Sequence, residues 1–143
     1  MALNPKLTNA GANAAADAVT ALCNSGYIEI YDAPQPTDAD TAIGAQINLA
    51  TLTFGATAFG AAVAGVATAG AIGSDSAANN TGTAAWFRAF KSGHTPGSGD
   101  EAAQRVFDGS VGTSGANLNM NSVEIQAGAQ VSISSLTYTQ QKT

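Results

Sequence analysis

The sequence predicts a mainly β fold: an antiparallel β-sandwich, jelly-roll-like, of about eight short strands with an N-terminal α-helix. Three observations lead there. Short apolar runs with period-two alternation recur along most of the chain, bounded by Gly, Pro, Asn or Asp. One stretch near the N-terminus carries apolar residues at helical spacing instead. The core material is also thin, since the hydrophobic share is 45% but 31 of the 143 residues are alanine. A chain of this length suits one domain with one real core. Residues 1–143 are therefore read as a single domain, 1–25 being an N-terminal arm and helix and 26–143 the sandwich.

The helix is expected between a cap at Thr8 or Asn9 and a left-handed stop at Gly26, with Leu7 as a hydrophobic staple. Ala15, Val19, Leu22 and Cys23 form its narrow apolar stripe, and Asp17 faces away. On that stripe Cys23 reads as a small core residue rather than a nucleophile. Residues 27–31 follow as a strand, with Ile28 and Ile30 on one side and Tyr27, Glu29 and Tyr31 on the other. A loop rich in Pro, Asp and Thr runs from Asp32 to Gly44. Residues 47–49 and 52–54 continue as strand, their alternation slipping once as at a bulge. Short strands are expected at 63–68, 122–126, 131–133 and 136–138. Residues 83–90 form the strongest strand, and 104–108 pair with it across the intervening loop. Alternation sets Trp86, Arg88 and Phe90 on one face and Phe87 on the other, so both faces must be covered.

Composition excludes several functions. The five Lys and Arg, at Lys6, Arg88, Lys91, Arg105 and Lys142, make no basic face for phosphates, which argues against nucleic-acid binding. One cysteine allows no internal disulfide. The opening residues lack the basic and apolar regions of a signal peptide, so synthesis and folding in a cytoplasm are expected. Residues 41–74 carry no charge and are long enough to span a bilayer. Their apolar residues are mainly alanine, and glycines at 55, 60, 65 and 70 are spaced by five rather than four. They are read as short strands and turns, with no membrane partner.

Chemistry is sparse. The only histidine, His94, sits in a glycine-rich stretch read as mobile and wet, which opposes a Ser-His-Asp device. One His and one Cys build no nitrogen or sulfur metal site. The acidic loop at Asp32, Asp38 and Asp40 offers oxygens to a cation such as calcium. It lacks the glycine and terminal glutamate of an EF-hand and reads first as a solvated turn-rich loop. Glu29 and Glu124 are the only strand glutamates, and nothing in the sequence brings them together for sugar hydrolysis. No glycine motif follows a strand and opens a helix, so no phosphate loop is read. Asn79-Asn80-Thr81 matches a glycosylation acceptor by chance. Trp86, Phe87 and Phe90 suggest either core or a carbohydrate platform, and a central strand favours core. No catalytic residue, cofactor or metal ligand is assigned.

Three segments carry a resemblance. Gly82-Thr83-Ala84-Ala85-Trp86-Phe87-Arg88, Asp108-Gly109-Ser110-Val111-Gly112-Thr113-Ser114-Gly115-Ala116 and Val131-Ser132-Ile133-Ser134-Ser135-Leu136-Thr137 are similar to small bacteriophage and prophage virion proteins. Ala18, Leu22 and Gly26 leading into Ile28-Glu29-Ile30-Tyr31 resemble their opening. The resemblance implies a non-enzymatic virion structural protein, a capsid decoration or cement protein of β-sandwich type that binds the major capsid protein lattice. It also implies a homo-oligomer, a trimer among the options, made in the host bacterial cytoplasm and resident on the capsid surface. A tail or baseplate accessory part, or a carbohydrate- or receptor-binding module, are the alternatives. An exposed Trp86 over a cleft is the feature that favours the last of these. Here the connection at residues 91–104 is longer than the resemblance implies, which leaves its role open.

Overall fold

The computed structural model describes residues 3–97 and 100–143. Helix α1 spans Asn9–Ala21, and the Thr8 hydroxyl caps it by accepting the Gly11 N–H at 3.0 Å. Its buried row is Ala12, Ala16 and Thr20, continued by Cys23, not the stripe of Ala15, Val19 and Leu22. Leu22 is in fact 48% exposed. The four-residue row wins because its smaller side chains let the helix approach more closely. Thr20 remains tolerable there because its hydroxyl donates to the Ala16 carbonyl at 2.9 Å. Asp17, expected to face away, accepts the Ala62 N–H at 2.8 Å.

The left-handed stop falls on Ser25, at φ 56°, rather than on Gly26. Gly26 is required for a different reason. A Cβ there would lie 2.1 Å from the Phe90 carbonyl oxygen and 2.9 Å from that of Cys23.

The strands are β1 Tyr27–Tyr31, β2 Asn48–Phe54, β3 Val66–Thr68, β4 Ile72–Gly73, β5 Gly82–Thr83, β6 Trp86–Phe90, β7 Arg105–Gly112, β8 Leu118–Asn119, β9 Glu124–Ile125 and β10 Ser135–Thr139. Eight of them join one curled sheet in the order β3-β10-β8-β7-β6-β1-β2-β4, and β5 pairs with β9 as a separate ribbon. The protein is thus mainly β with one N-terminal helix. The all-antiparallel expectation is corrected at one pair, because β8 runs parallel to β7. Two asparagines fold the tight connection that permits this. Asn117 accepts from the Ser110 N–H and hydroxyl, and the Asn119 side chain accepts from and donates to the Ala116 backbone.

Other boundaries also shift. Strand β2 runs unbroken from Asn48 to Phe54, and the expected bulge lies within it: Ile30 opposes Ala50 and Tyr31 opposes Asn48, which leaves Leu49 as the extra residue. The run 83–90 breaks at Ala84-Ala85 between β5 and β6. Of residues 131–133 only Val131 makes a bridge, to Asp75. Among the described residues no helix is long and apolar enough to cross a membrane.

Strands β1 and β6 are buried on both faces. The concave face presents Ile28, Ile30, Leu52, Phe87 and Ala89 to the main core. There Phe107 meets Phe87 edge-on at 5.7 Å and Tyr138 at 5.0 Å. The other face carries Tyr27, Glu29 and Tyr31 opposite Phe90, Arg88 and Trp86. It is roofed by residues 32–47, 91–97 and 100–104, which places polar chemistry under two loops.

Gly26→Ala is expected to destabilise the fold by about 1–3 kcal/mol, the cost of forcing atoms into filled space. Gly44→Ala, whose Cβ would meet only the Gln46 side chain at 3.5 Å, is the control expected to stay within about 0.5 kcal/mol. Urea unfolding of both variants measures the difference.

Candidate functional site

Register across four strands builds a polar row. Thr51 of β2 opposes Glu29 of β1, Glu29 opposes Arg88 of β6, and Arg88 opposes Asp108 of β7. Arg88 and Glu29 have no exposed surface. The Arg88 guanidinium grips Asp108 with two parallel bonds, Nε to Oδ1 at 2.6 Å and Nη2 to Oδ2 at 2.8 Å. Its Nη1 donates to Asp100 Oδ1 at 3.1 Å. Burial alone would lower the Arg88 pKa, but Asp108 and then Asp100 outweigh it and raise it.

Asp100 is the hub between the two loops. Both of its oxygens accept from Arg105, and Oδ2 also accepts the Ile43 N–H at 2.8 Å. Arg105 donates in turn to the Asp40 carbonyl. Burial raises the Asp100 carboxyl, yet the bonds from Arg105 and Ile43 and the Arg88 charge hold it below its ordinary 3.8.

A second cluster fixes the loop at its other end. His94, expected to be mobile and wet, is only 3% exposed. Its ring stacks on Phe90 with centroids 3.8 Å apart. His94 Nε2 lies 2.9 Å from Glu29 Oε1 and Nδ1 lies 2.7 Å from Glu101 Oε2. The Tyr31 hydroxyl donates to Glu29 Oε2, and the Gly97 N–H reaches Oε1 at 3.3 Å. Burial first, and the Glu29 charge second, push the Tyr31 hydroxyl above its usual range. The glycine-rich composition misled because mobility depends on what a loop's side chains find, and His94 finds an aromatic face and two carboxylates.

The remaining candidates serve the frame. Asp32 Oδ1 accepts the Ile47 N–H at 2.7 Å. Asp38 Oδ1 accepts from the N–H groups of Asp40 and Thr41 and from the Thr41 hydroxyl, which lowers its pKa. Asp32, Asp38 and Asp40 do not converge, and among the described residues no three His, Cys, Asp or Glu side chains form a metal-binding group. Glu29 and Glu124 are not brought together: Glu124 lies on the β5–β9 ribbon and accepts from Thr83 at 3.1 Å. Burial pushes the Cys23 thiol up to about 12, as suits a core residue. Trp86 is wholly buried, stacked on Tyr31 at 4.7 Å, with its indole N–H donated to the Asp32 carbonyl.

A cavity of about 590 Å³ opens beside this row, between the two loops and the turn after β4. Glu29, Tyr31, Thr51, Asp75, Asp100 and the amides of Gln46, Asn48, Asn79 and Asn80 are in its wall. The sequence reading missed it. Its walls come from four distant segments, and the asparagines sit in what looks like an ordinary turn. No family model, curated protein or solved structure matches this chain.

Two outcomes test the buried row. Arg88→Met leaves Asp108 without its cation while Asp100 keeps only Arg105, and unfolding free energy is expected to fall by about 3–5 kcal/mol. For pH, the folded Asp100 carboxyl lies below its unfolded value. Its contribution is therefore complete above about 3.8 and lost as pH falls through the lower folded value. Urea midpoints measured from pH 7 down to pH 2 should fall on this acid limb, and less steeply in Asp100→Asn.

Proposed function

We propose that this chain is a non-enzymatic structural protein of a bacteriophage virion, a capsid decoration or cement protein that binds the major capsid protein lattice and stabilises the head. The observation that carries this reading is an apolar rim at one end of the fold. Leu3 is 89% and Val63 74% exposed, and Leu7 and Val66 are about two-fifths exposed. Backbone bonds draw the last three together. The Leu7 N–H donates to the Lys142 carbonyl, Val66 pairs with Thr139, and the Val63 and Val66 N–H groups each donate to the other's carbonyl. Leu3 lies four residues before Leu7 on the N-terminal arm. Exposed apolar side chains grouped this way favour burial against a partner. Low surface charge reduces the desolvation cost of docking, and repetition over a lattice turns weak contacts into firm attachment.

The resemblance to virion proteins supports the same reading. Its three segments form β5 and β6, the β7 strand with its asparagine-stapled turn, and β10. Those are framework, as expected of a protein whose role is shape. A tail or baseplate position is the runner-up. The Trp86 platform has lost its basis, since that ring is buried.

Quantitative mass spectrometry of purified virions should give a copy number comparable to the major capsid protein. A handful of copies moves the protein to the tail, and absence ends the structural reading. A Leu3→Asp/Leu7→Asp/Val63→Asp variant is expected to fold normally by circular dichroism and to lose addition to undecorated heads. Unchanged attachment overturns the rim as the docking surface.

A further inference from the structure

We propose that the cavity beside the polar row is a binding site for a neutral saccharide residue. Its volume of about 590 Å³ lies within the range of small-molecule sites. Its lining selects among ligands by charge. Among the described residues no lysine or arginine is in the wall, while three carboxylates, Glu29, Asp75 and Asp100, are. A phosphate, nucleotide or acidic sugar would meet negative charge with no cation free to answer it, since the Arg88 and Arg105 guanidinium groups are held by Asp100 and Asp108.

The wall is rich in groups that read hydroxyls. Gln46, Asn48, Asn79 and Asn80 bring four side-chain amides from two separate segments, and Thr51 adds a hydroxyl. Several are prepositioned by bonds on one side only. Asn79 donates to Asn48 Oδ1 at 3.1 Å, and Asn80 donates to the Asn48 carbonyl at 2.8 Å. Among the described residues, the amide oxygens of Asn79 and Asn80 accept no hydrogen bond. Asp75 accepts only the backbone N–H groups of Thr51 and Ala77, which leaves each oxygen a further lone pair. Acceptors of this kind match vicinal hydroxyls, which donate. Ile43 and Pro96 in the wall supply apolar surface for the C–H faces of a sugar ring.

The floor is rigid, because Glu29 and Asp100 are locked by the two clusters described above. Little conformational freedom is then lost on binding. Free sugars and the glycan of a cell surface share this chemistry, so both are tested.

The experiment titrates the isotopically labelled full chain with neutral monosaccharides, with a neutral polysaccharide and with sialylated or sulfated counterparts, observed by NMR. Saturable shifts at Thr51, Asn79 and Asn80 with the neutral forms, absent with the acidic ones, are expected. A polysaccharide arm that alone binds points to a surface glycan, whereas monosaccharide binding points to a single-residue site. Asn79→Ala and Asn80→Ala, both at exposed positions, should weaken binding about fivefold to tenfold each, the worth of one lost hydrogen bond. Unchanged far-ultraviolet dichroism confirms that they remain folded. No shift with any neutral saccharide, equal binding of the acidic forms, or binding indifferent to both substitutions overturns the proposal. Loss of virion attachment plays no part in this readout, so the two functional readings fail or stand separately.

Discussion

The Arg88 guanidinium is a permanent charge with no contact to water, held on the middle strand of the curled sheet. Moving such an ion out of solvent costs several kcal/mol unless its donors are matched. The match comes from two places that sequence keeps apart: Asp108 on the adjacent strand and Asp100 in the long loop. Asp108 fixes the pairing of β6 with β7. Asp100 then brings Arg105 and the Ile43 backbone with it, so residues 32–47 and 100–105 are tied to each other as well as to the sheet. A one-residue slip of β6 would put an apolar side chain against Asp108 and turn the guanidinium into the core beside Ile28 and Ile30. The charge therefore specifies the arrangement as much as it stabilises it.

Much of the frame was legible in the sequence because local rules govern it. The Thr8 cap, the strand at 27–31 with its two faces, and the hairpin of β6 and β7 follow from spacing and turn residues. What escaped depends on long-range fit. The helix buries Ala12 and Ala16 rather than Val19 and Leu22, since closeness to Gly65 and the sheet favours smaller side chains over more apolar ones. The parallel β8 depends on asparagine bonds that no periodicity reveals. His94 is the clearest case: its loop has a mobile composition, yet Glu29, 65 positions earlier, provides the anchor.

The two functional readings use different residues. The apolar rim is built from the N-terminal arm, β3 and the chain near β10. The cavity is lined by β1, β2, the segments at 43–46, 75–80 and 96–97, and Asp100. No residue belongs to both.

The strands β3 and β4 bound the sheet at opposite ends, yet only Ala69, Gly70 and Ala71 separate them in the chain. The same short stretch pairs with β10 on one side and with β2 on the other. Three residues reach only about 10 Å, so the two ends of the sheet are held near each other like the edges of a laced seam. The lace is drawn late. Thr68 meets Thr137 only after almost 70 intervening residues have been synthesised. Contacts so distant in sequence raise the entropic cost of reaching the transition state. Until residues 135–139 leave the ribosome, the interior around Leu118 and Phe107 lacks one wall. The nascent chain thus passes through a stage in which its apolar face is open, and protection during synthesis becomes part of how this protein is made.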